Sequence, residues 1–432
     1  MGLNGSGRYR KVGVFVHYIL LFCERKNRNS KGQEINLLSL SYGRIIRKNI
    51  NINTGLLPES FNTYNIVEKD DIIIRPTDLQ NDKRSLRTGI VKEHGIITSA
   101  YIALKPKKYT NSSYFHYLLH AYDIKKVFYN MGNGVRQGLN YSEFCKLLII
   151  NPTNQEQSKI INFLDAKCAD IDSLTADIQK QIDILKEYKK SVIIQAVTKG
   201  LDPNVEMKDS GVGWVNKIPR GWKVQRLKYL CRFSKGLPIT KADLKPSGKA
   251  VINYGQVHAK FNTGTAIDER LIRYVDEKYL RRCPQSICHK NDFIFADTSE
   301  DYEGAGNCVF VNTDNFVFAG YHTFIASLTN YNGNPKFLAY LFQSDTWRKQ
   351  IRSKVSGIKV YSITQTIMKN IDVIYPQELD CQNKIVDFLD AKCADIDAAI
   401  AGKQKQLDVL KEYKKSLIYE HVTGKKEVPC HE

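Results

Sequence analysis

Several familiar signatures are missing from this 432-residue sequence, and each absence removes a class of function. No GxGxxG loop follows a predicted strand and no GxxxxGK(S/T) loop occurs, so the usual backbone cradles for a dinucleotide or a nucleoside triphosphate are lacking. The ten cysteines, at 23, 145, 168, 231, 283, 288, 308, 381, 393 and 430, form no CxxC pair. A chain of this length needs no covalent stapling, so they read as reduced thiols of a cytoplasmic protein; Cys168 and Cys393 read as small core residues. His258, His289 and His322 stand without the neighbours that a metal site or an activated nucleophile requires, and no metal is expected. The apolar run "VGVFVHYILLFC" (Val12–Cys23) is too short to span a bilayer and meets "ERKNRN" without a small-residue cleavage site. It reads as a buried strand or helix, and no membrane role is expected. Acidic residues are in deficit, 45 against 64 Lys and Arg. The net charge of +19 points to a polyanionic partner, nucleic acid before membrane.

What is present is a duplication. "FLDAKCADID" occurs at Phe163–Asp172 and again at Phe388–Asp397. Residues 157–198 align with 382–423 at a constant offset of 225 with 28 identities in 42 positions, so two copies of a whole module are implied. Leu164, Ile171, Ile178, Leu185 and Val192 recur every seven residues, and no Pro or Gly interrupts Asn154–Thr198. "TNQE" (Thr153–Glu156) fits a capping box, and Gly200 with Pro203 stops the pattern. The second copy keeps Leu389, Ile396, Leu410 and Leu417, has Lys403 where Ile178 stood, and shifts its stripe through Ile400 and Leu407. Such a helix is a rod of roughly 65 Å. A narrow apolar seam on a long rod needs a partner helix, and the other copy is the obvious one; the alternative is that each helix packs only on its own globular part. Residues 154–200 hold seven Lys and seven acids and residues 377–424 seven Lys and nine acids, so the rods carry −2 and the rest of the chain +21. That segregation suits basic modules that bind nucleic acid and neutral rods that bind protein.

Outside the rods, landmarks recur in order. "SYG" (Ser41–Gly43) answers "NYG" (Asn253–Gly255), and "VEKDDIIIRPTD" (Val67–Asp78) answers "CHKNDFIFADTS" (Cys288–Ser299). "IITSAYIAL" (Ile96–Leu104) answers "VFAGYHTFIAS" (Val317–Ser327), and "NGVRQGLNY" (Asn133–Tyr141) answers "SGIKVYSIT" (Ser356–Thr364). β-Branched and aromatic stretches broken by Gly, Asn and Asp read as strands with polar loops, and "YFHYLLHAYDI" and "PKFLAYLFQSDTWRKQI" read as amphipathic helices. Each half is therefore an α+β domain, with Gly200–Trp222 as the linker between them. The loops "RPTDLQNDKRSLR", "NGVRQ" and "RSKVSGIKVY" collect the Arg, Lys, Asn and Gln side chains that phosphates and base edges require. Solvated basic loops would look the same residue by residue.

With "EQSKIINFLDAKCADID", its copy "CQNKIVDFLDAKCADID", the "LKEYKKS" that ends both, the linker "DSGVGWVNKIPRGWKVQRLKYL" and "GVRQGLNY", the chain resembles the specificity (S) subunits of type I restriction–modification systems over nearly its whole length. The resemblance implies two target-recognition domains alternating with two long helices that pair as an antiparallel coiled coil with pseudo-two-fold symmetry. The expected division is a first recognition domain over 1–152, a spacer helix over 153–199, a linker over 200–222, a second recognition domain over 223–376, a second spacer helix over 377–424 and a tail over 425–432. The expected partners are double-stranded DNA, two methyltransferase (M) subunits and, where present, two restriction (R) subunits. Candidate DNA contacts are Tyr42, Arg75, Thr77, Asn81, Lys83, Arg84, Arg87, Asn133, Arg136 and Gln137 in the first domain. In the second they are Tyr254, Thr298, Ser299, His322, Lys354, Lys359 and Tyr361. Helix pairing is assigned to Leu164, Ile171, Ile178, Leu185 and Val192 with Leu389, Ile396, Leu407, Leu410 and Leu417. One departure stands out. "GWKVQRLKYL" (Gly221–Leu230) introduces the second domain, whereas residues 1–22 offer no counterpart, so the first domain is expected to start atypically.

"NPTN" (Asn151–Asn154) distantly echoes the Asn/Asp-Pro-Pro-aromatic loop of amino-methyltransferases, but the second Pro is Thr and the aromatic is Asn. Its counterpart "YPQE" (Tyr375–Glu378) lacks the Asn too, and a strand end running into a helix cap explains both. No enzyme activity and no cofactor is expected of this chain; methyl donor, ATP and magnesium belong on partner subunits. The rival readings are a coiled-coil scaffold whose basic domains bind nucleic acid without sequence preference, and a self-contained nuclease or methyltransferase.

Overall fold

In the computed structural model the described residues are 14–49, 60–77, 79, 86–127, 129–131, 138–357 and 359–429. Two long helices, Asn154–Lys199 and Leu379–Val422, run without interruption. The chain divides into two compact units, residues 1–179 with 404–432, and residues 180–403. Each helix therefore contributes one half to each unit.

Within each unit the two helical halves run antiparallel. In the first unit Lys414 reaches Asp172 at 2.6 Å, and the rings of Phe163 and His421 lie 4.7 Å apart. In the second, Lys189 reaches Asp397 at 2.7 Å and Lys403 bonds Gln181. Asp172 and Asp397 are repeat equivalents, as are Lys189 and Lys414, so the same ion pair is made twice with the roles of the helices exchanged. Leu164, Ile171, Ile178, Leu389, Ile396 and Leu417 are buried, and Leu185, Val192, Leu407 and Leu410 are half-buried. The apolar seam thus points inward along both helices. Cys168 and Cys393 are buried beside it.

The two globular domains share a plan. In the first, a four-stranded antiparallel sheet has the order Phe22–Glu24, Ile102–Pro106, Ile72–Ile74, Thr88–Ile90. In the second the order is Cys231–Lys235, Thr323–Leu328, Phe293–Ala296, Cys308–Phe310. A helix packs each sheet against the long helices: Ser112–Ile124, capped by Asn111, and Pro335–Gln343, capped by Asn334. Its tyrosine hydroxyl donates to the same aspartate of the repeat, Tyr117 to Asp165 at 2.7 Å and Tyr340 to Asp390 at 2.5 Å. The second domain adds a sheet in the order Arg273–Val275, Lys249–Ile252, Val317–Ala319, Ile287–Cys288. Residues 200–222, read as a linker, include an antiparallel hairpin, Met207–Val212 with Val215–Pro219, whose Ile218 is fully buried.

The expected atypical start of the first domain is corrected by the backbone. Strand Val14–His17, the 3-10 turn Tyr18–Leu20 and strand Phe22–Glu24 match Trp222–Arg226, Leu227–Tyr229 and Cys231–Lys235 element for element. Val14–His17 pairs antiparallel with Leu148–Asn151 as Trp222–Arg226 pairs with Asp372–Pro376. The N–H of Tyr18 donates to the Leu147 carbonyl, and that of Leu227 to the Ile371 carbonyl, both at 2.9 Å. Nor is the described part of Val12–Cys23, from Val14 on, a buried run: Val14 and Phe15 are 71% and 63% exposed, while Tyr18 and Phe22 are fully buried. A short strand held mainly by backbone pairing tolerates varied side chains, which is why the sequence comparison missed it.

One burial difference has a measurable consequence. Helix Ser112–Ile124 carries His116 and His120 where the second domain has Ala339 and Gln343. Burial, reinforced by nearby positive charge, lowers His116 to about 3 and His120 to about 4. In the unfolded chain each titrates near 6.5, so below that pH the unfolded state takes up protons that the native state refuses. The native state should lose about 2 kcal/mol per histidine between pH 7 and pH 5. Denaturant unfolding at the two pH values should show this loss, and His116→Ala with His120→Gln should remove most of it.

Candidate nucleic-acid interface

The strand Phe293–Ala296 is buried on both faces. Phe293 and Phe295 pack against Phe342, with Phe295 also meeting Trp347, while Ile294 and Ala296 face a second core containing Val309 and Ile325. Such a strand is a rigid mount. Where it ends, Thr298–Ser299 pairs with Tyr361–Ser362, and the N–H of Ile363 donates to the Asp297 carbonyl at 2.7 Å. The turn that leads into the neighbouring strand ends at the same rim, because Asp297 N–H donates to the His322 carbonyl at 3.1 Å. Tyr254 joins it through its N–H to the Tyr321 carbonyl at 3.3 Å and an edge contact between rings, 5.6 Å from His322. Four residues predicted from sequence, Tyr254, Thr298, His322 and Tyr361, therefore converge on one rim of the second domain.

His322 adopts a left-handed backbone, φ 52°, which turns its exposed ring outward beside Asp297 at 3.4 Å. Lys359 is exposed two residues before Tyr361, and exposed Lys354 donates to the Asn370 carbonyl at 3.4 Å. Ser299 is a correction: it is buried, and its hydroxyl donates to the Asp301 carbonyl at 2.6 Å, shaping the loop from within. Sequence reasoning missed Tyr302, whose ring meets Tyr361 edge-on at 5.5 Å, and Tyr321, 5.7 Å from Tyr254. The "GYH" turn (Gly320–His322) was the available signal, since an aromatic pair at the mouth of a strand is unusual for a plain turn. Side chains of this kind, aromatic and hydroxyl-bearing with flanking lysines, can stack on bases, bond base edges and meet phosphates.

In the first domain Leu139 N–H donates to the Pro76 carbonyl at 2.9 Å, the equivalent of the Ile363–Asp297 bond. After Pro76 the first domain thus leaves its sheet at the point where the second does after Asp297. Asn81, Lys83, Arg84, Asn133, Arg136 and Gln137 lie outside the described residues. Arg75 is half-buried and Thr77 exposed. Tyr42 is 87% exposed with φ 46°, in a hairpin turn with Gly43, whereas Tyr254 opens a helical turn. The two tyrosines are therefore not structural equivalents. The hairpin turn borders a cleft of about 860 Å³ lined by His116, His120 and Lys411 among others.

Arg87 is the second correction. It is fully buried, with its Nε donating to the Tyr129 hydroxyl at 2.9 Å and its Nη1 to the Thr77 carbonyl. The Tyr129 hydroxyl in turn donates to Asp123 at 3.0 Å, and the Arg87 N–H donates to the same carboxylate at 2.5 Å. Burial raises Asp123 above the usual carboxylate range despite these donors. Arg87 thus pins the Thr77 carbonyl from inside and offers no side chain to DNA. Among the described residues no group of three or more His, Cys, Asp or Glu side chains could hold a metal ion, and no helix is long and apolar enough to cross a membrane.

Residues 219–409 match the family model described as the type I restriction modification DNA specificity domain. The chain is thus similar to the specificity subunits of type I restriction–modification systems. The type I restriction enzyme MjaVIII specificity subunit of Methanocaldococcus jannaschii is 24% identical over 335 residues, covering 77% of this chain and 74% of that protein. The putative MjaX specificity subunit of the same organism is 32% identical over 129 residues, 29% of either chain. A chain solved in work on complex assembly and conformational transition of the type I R-M system superposes with a TM-score of 0.69 over 96% of this chain and 99% of its own, at 12% identity. The HsdS subunit from Thermoanaerobacter tengcongensis gives 0.50 over 98% and 99%, also at 12% identity. At 12% the likeness is one of fold.

The burial of Arg87 is testable. Arg87→Leu would strand the Thr77 carbonyl and remove the buried cation near Asp123, whose bonds from the residue-87 main-chain N–H and from Tyr129 remain, and should destabilise the first unit by about 1–3 kcal/mol. Denaturant unfolding checks this; unchanged stability would return Arg87 to the candidate DNA contacts.

Proposed function

We propose that this chain is a type I specificity subunit that reads a split, asymmetric DNA site, one half with each globular domain, and directs adenine N6 methylation and restriction by partner subunits. The observation that supports the reading is the doubled contact set: the same aspartate–lysine pair and the same tyrosine–aspartate bond occur in both units. Two chemically equivalent units on one chain suit two equivalent M subunits, whereas the unlike loops of the two domains suit two different half-sites. The long helices would act as a ruler for the unread gap, as dimer symmetry sets half-site spacing elsewhere. Phosphate contacts by the basic domains would supply much of the affinity and make it salt-dependent. Methyl transfer to a flipped adenine would take place on the M subunits, which would also bind the methyl donor. ATP and magnesium would serve the R subunits, and this chain would carry no catalytic group of its own.

Co-expression with a type I methyltransferase subunit, followed by mapping of methylated adenines across the host genome, tests the reading. A split motif that appears only when this chain is present is the expected result. A stable complex that binds DNA yet writes no motif would favour the scaffold reading. Deleting one seven-residue repeat from each long helix should change the gap and leave both half-site sequences intact; an unchanged gap removes the ruler.

A further inference from the structure

The carbonyl of residue 298 is pinned, and so is its equivalent in the first domain, but by different devices. Thr77 and Thr298 occupy matching positions at the exit of matching strands. The Thr77 carbonyl accepts from Arg87 Nη1. The Thr298 carbonyl lies 2.8 Å from Nε2 of His258, a residue that the candidate contacts do not include. What state the imidazole holds follows from its other neighbours. Arg348, on helix Asp345–Arg352, has only donors, and its Nη1 bonds the Asn307 side-chain oxygen. The Asn307 amide is thereby oriented, and its NH₂ group faces His258 Nδ1 at 3.0 Å. Nδ1 must then accept, so the single ring proton sits on Nε2 and is donated to Thr298.

Arg348 is itself fixed, with Nε donating to the Phe342 carbonyl at 2.8 Å and Nη2 to the Gln343 side chain at 2.5 Å. The chain of bonds therefore begins at the helices of the core and ends at the rim. Gly304 leaves room for it, since a Cβ there would lie 2.6 Å from the Ser299 hydroxyl and 3.1 Å from His258 Nδ1. We propose that His258 is a positioning residue for the second half-site: neutral and protonated at Nε2, it holds Thr298 and so the short ladder that presents Tyr361. The role rests on the function proposed above. In the first domain the always-charged Arg87 does the same work, so the two half-sites are held independently.

The test uses the full chain in complex with its methyltransferase partner and reads the methylated motif. His258→Leu should relax discrimination in the second half-site about tenfold while the first half stays strict, and His258→Gln, which keeps a donor for the carbonyl, should restore most of it. Asn307→Leu, which leaves the ring in place but unoriented, should relax the same half and serves where His258→Leu fails to fold. In the free protein, nitrogen chemical shifts of labelled histidine should show His258 with its proton on Nε2; a proton on Nδ1 overturns the proposal. A wild-type split motif whose second half stays strict in His258→Leu removes the positioning role alone. A wild-type complex that writes no split motif removes the function reading and this role with it.

Discussion

The architecture depends on the apolar seam shared by two copies of one helix. A rod carrying leucine and isoleucine at every seventh position cannot leave that stripe in water, and a near-identical rod in the same chain supplies the cheapest cover. Antiparallel pairing then exchanges the partners: what the first helix does in one unit the second does in the other. The repeated aspartate–lysine pair adds little energy, being partly exposed, but as a register mark it is informative, because a slipped alignment would break both copies together. On this frame each globular domain needs only one docking helix and one tyrosine to find its place.

Above the frame, burial and exposure divide the labour. Strand Phe293–Ala296 and strand Ile72–Ile74 are buried throughout, so their ends are the least mobile points from which a loop can start. Just past those ends the chain meets a polar carbonyl that must be satisfied, and each domain solves the problem with its own side chain. Duplication preserved the problem and let the solutions diverge.

The helices were legible because their signal is periodic and repeated; the seam assigned from spacing is the seam that is buried. Helix Ser112–Ile124 and the landmark strands were legible for similar reasons. The site was legible only in part. Tyr254, Thr298, His322 and Tyr361, picked out as polar and aromatic loop residues in four short motifs, fall together on one rim. Arg87 and Ser299 misled because a loop arginine or serine looks alike in sequence whether it faces solvent or its own backbone. His258 gave no sign, since its partners Asn307, Arg348 and Thr298 are distant in sequence and no motif joins them. The start of the first domain was misjudged for the opposite reason: backbone pairing persisted where side-chain identity had gone.

The exchange of helix halves also orders events during synthesis. The core of the first unit contains Leu417, Ile418 and Val422, and the Tyr114 hydroxyl donates to the Val422 carbonyl at 2.8 Å across 308 positions. Residues 180–403, by contrast, hold a complete unit of their own. A ribosome releasing this chain from the amino end would therefore present the first globular domain with one side open, and the second would close before it. Long-range closure of this kind is slow and leaves apolar surface exposed while it waits. The domain that begins first is thus the one that finishes last, and it is the half of the molecule for which early capture by a partner or a chaperone matters most.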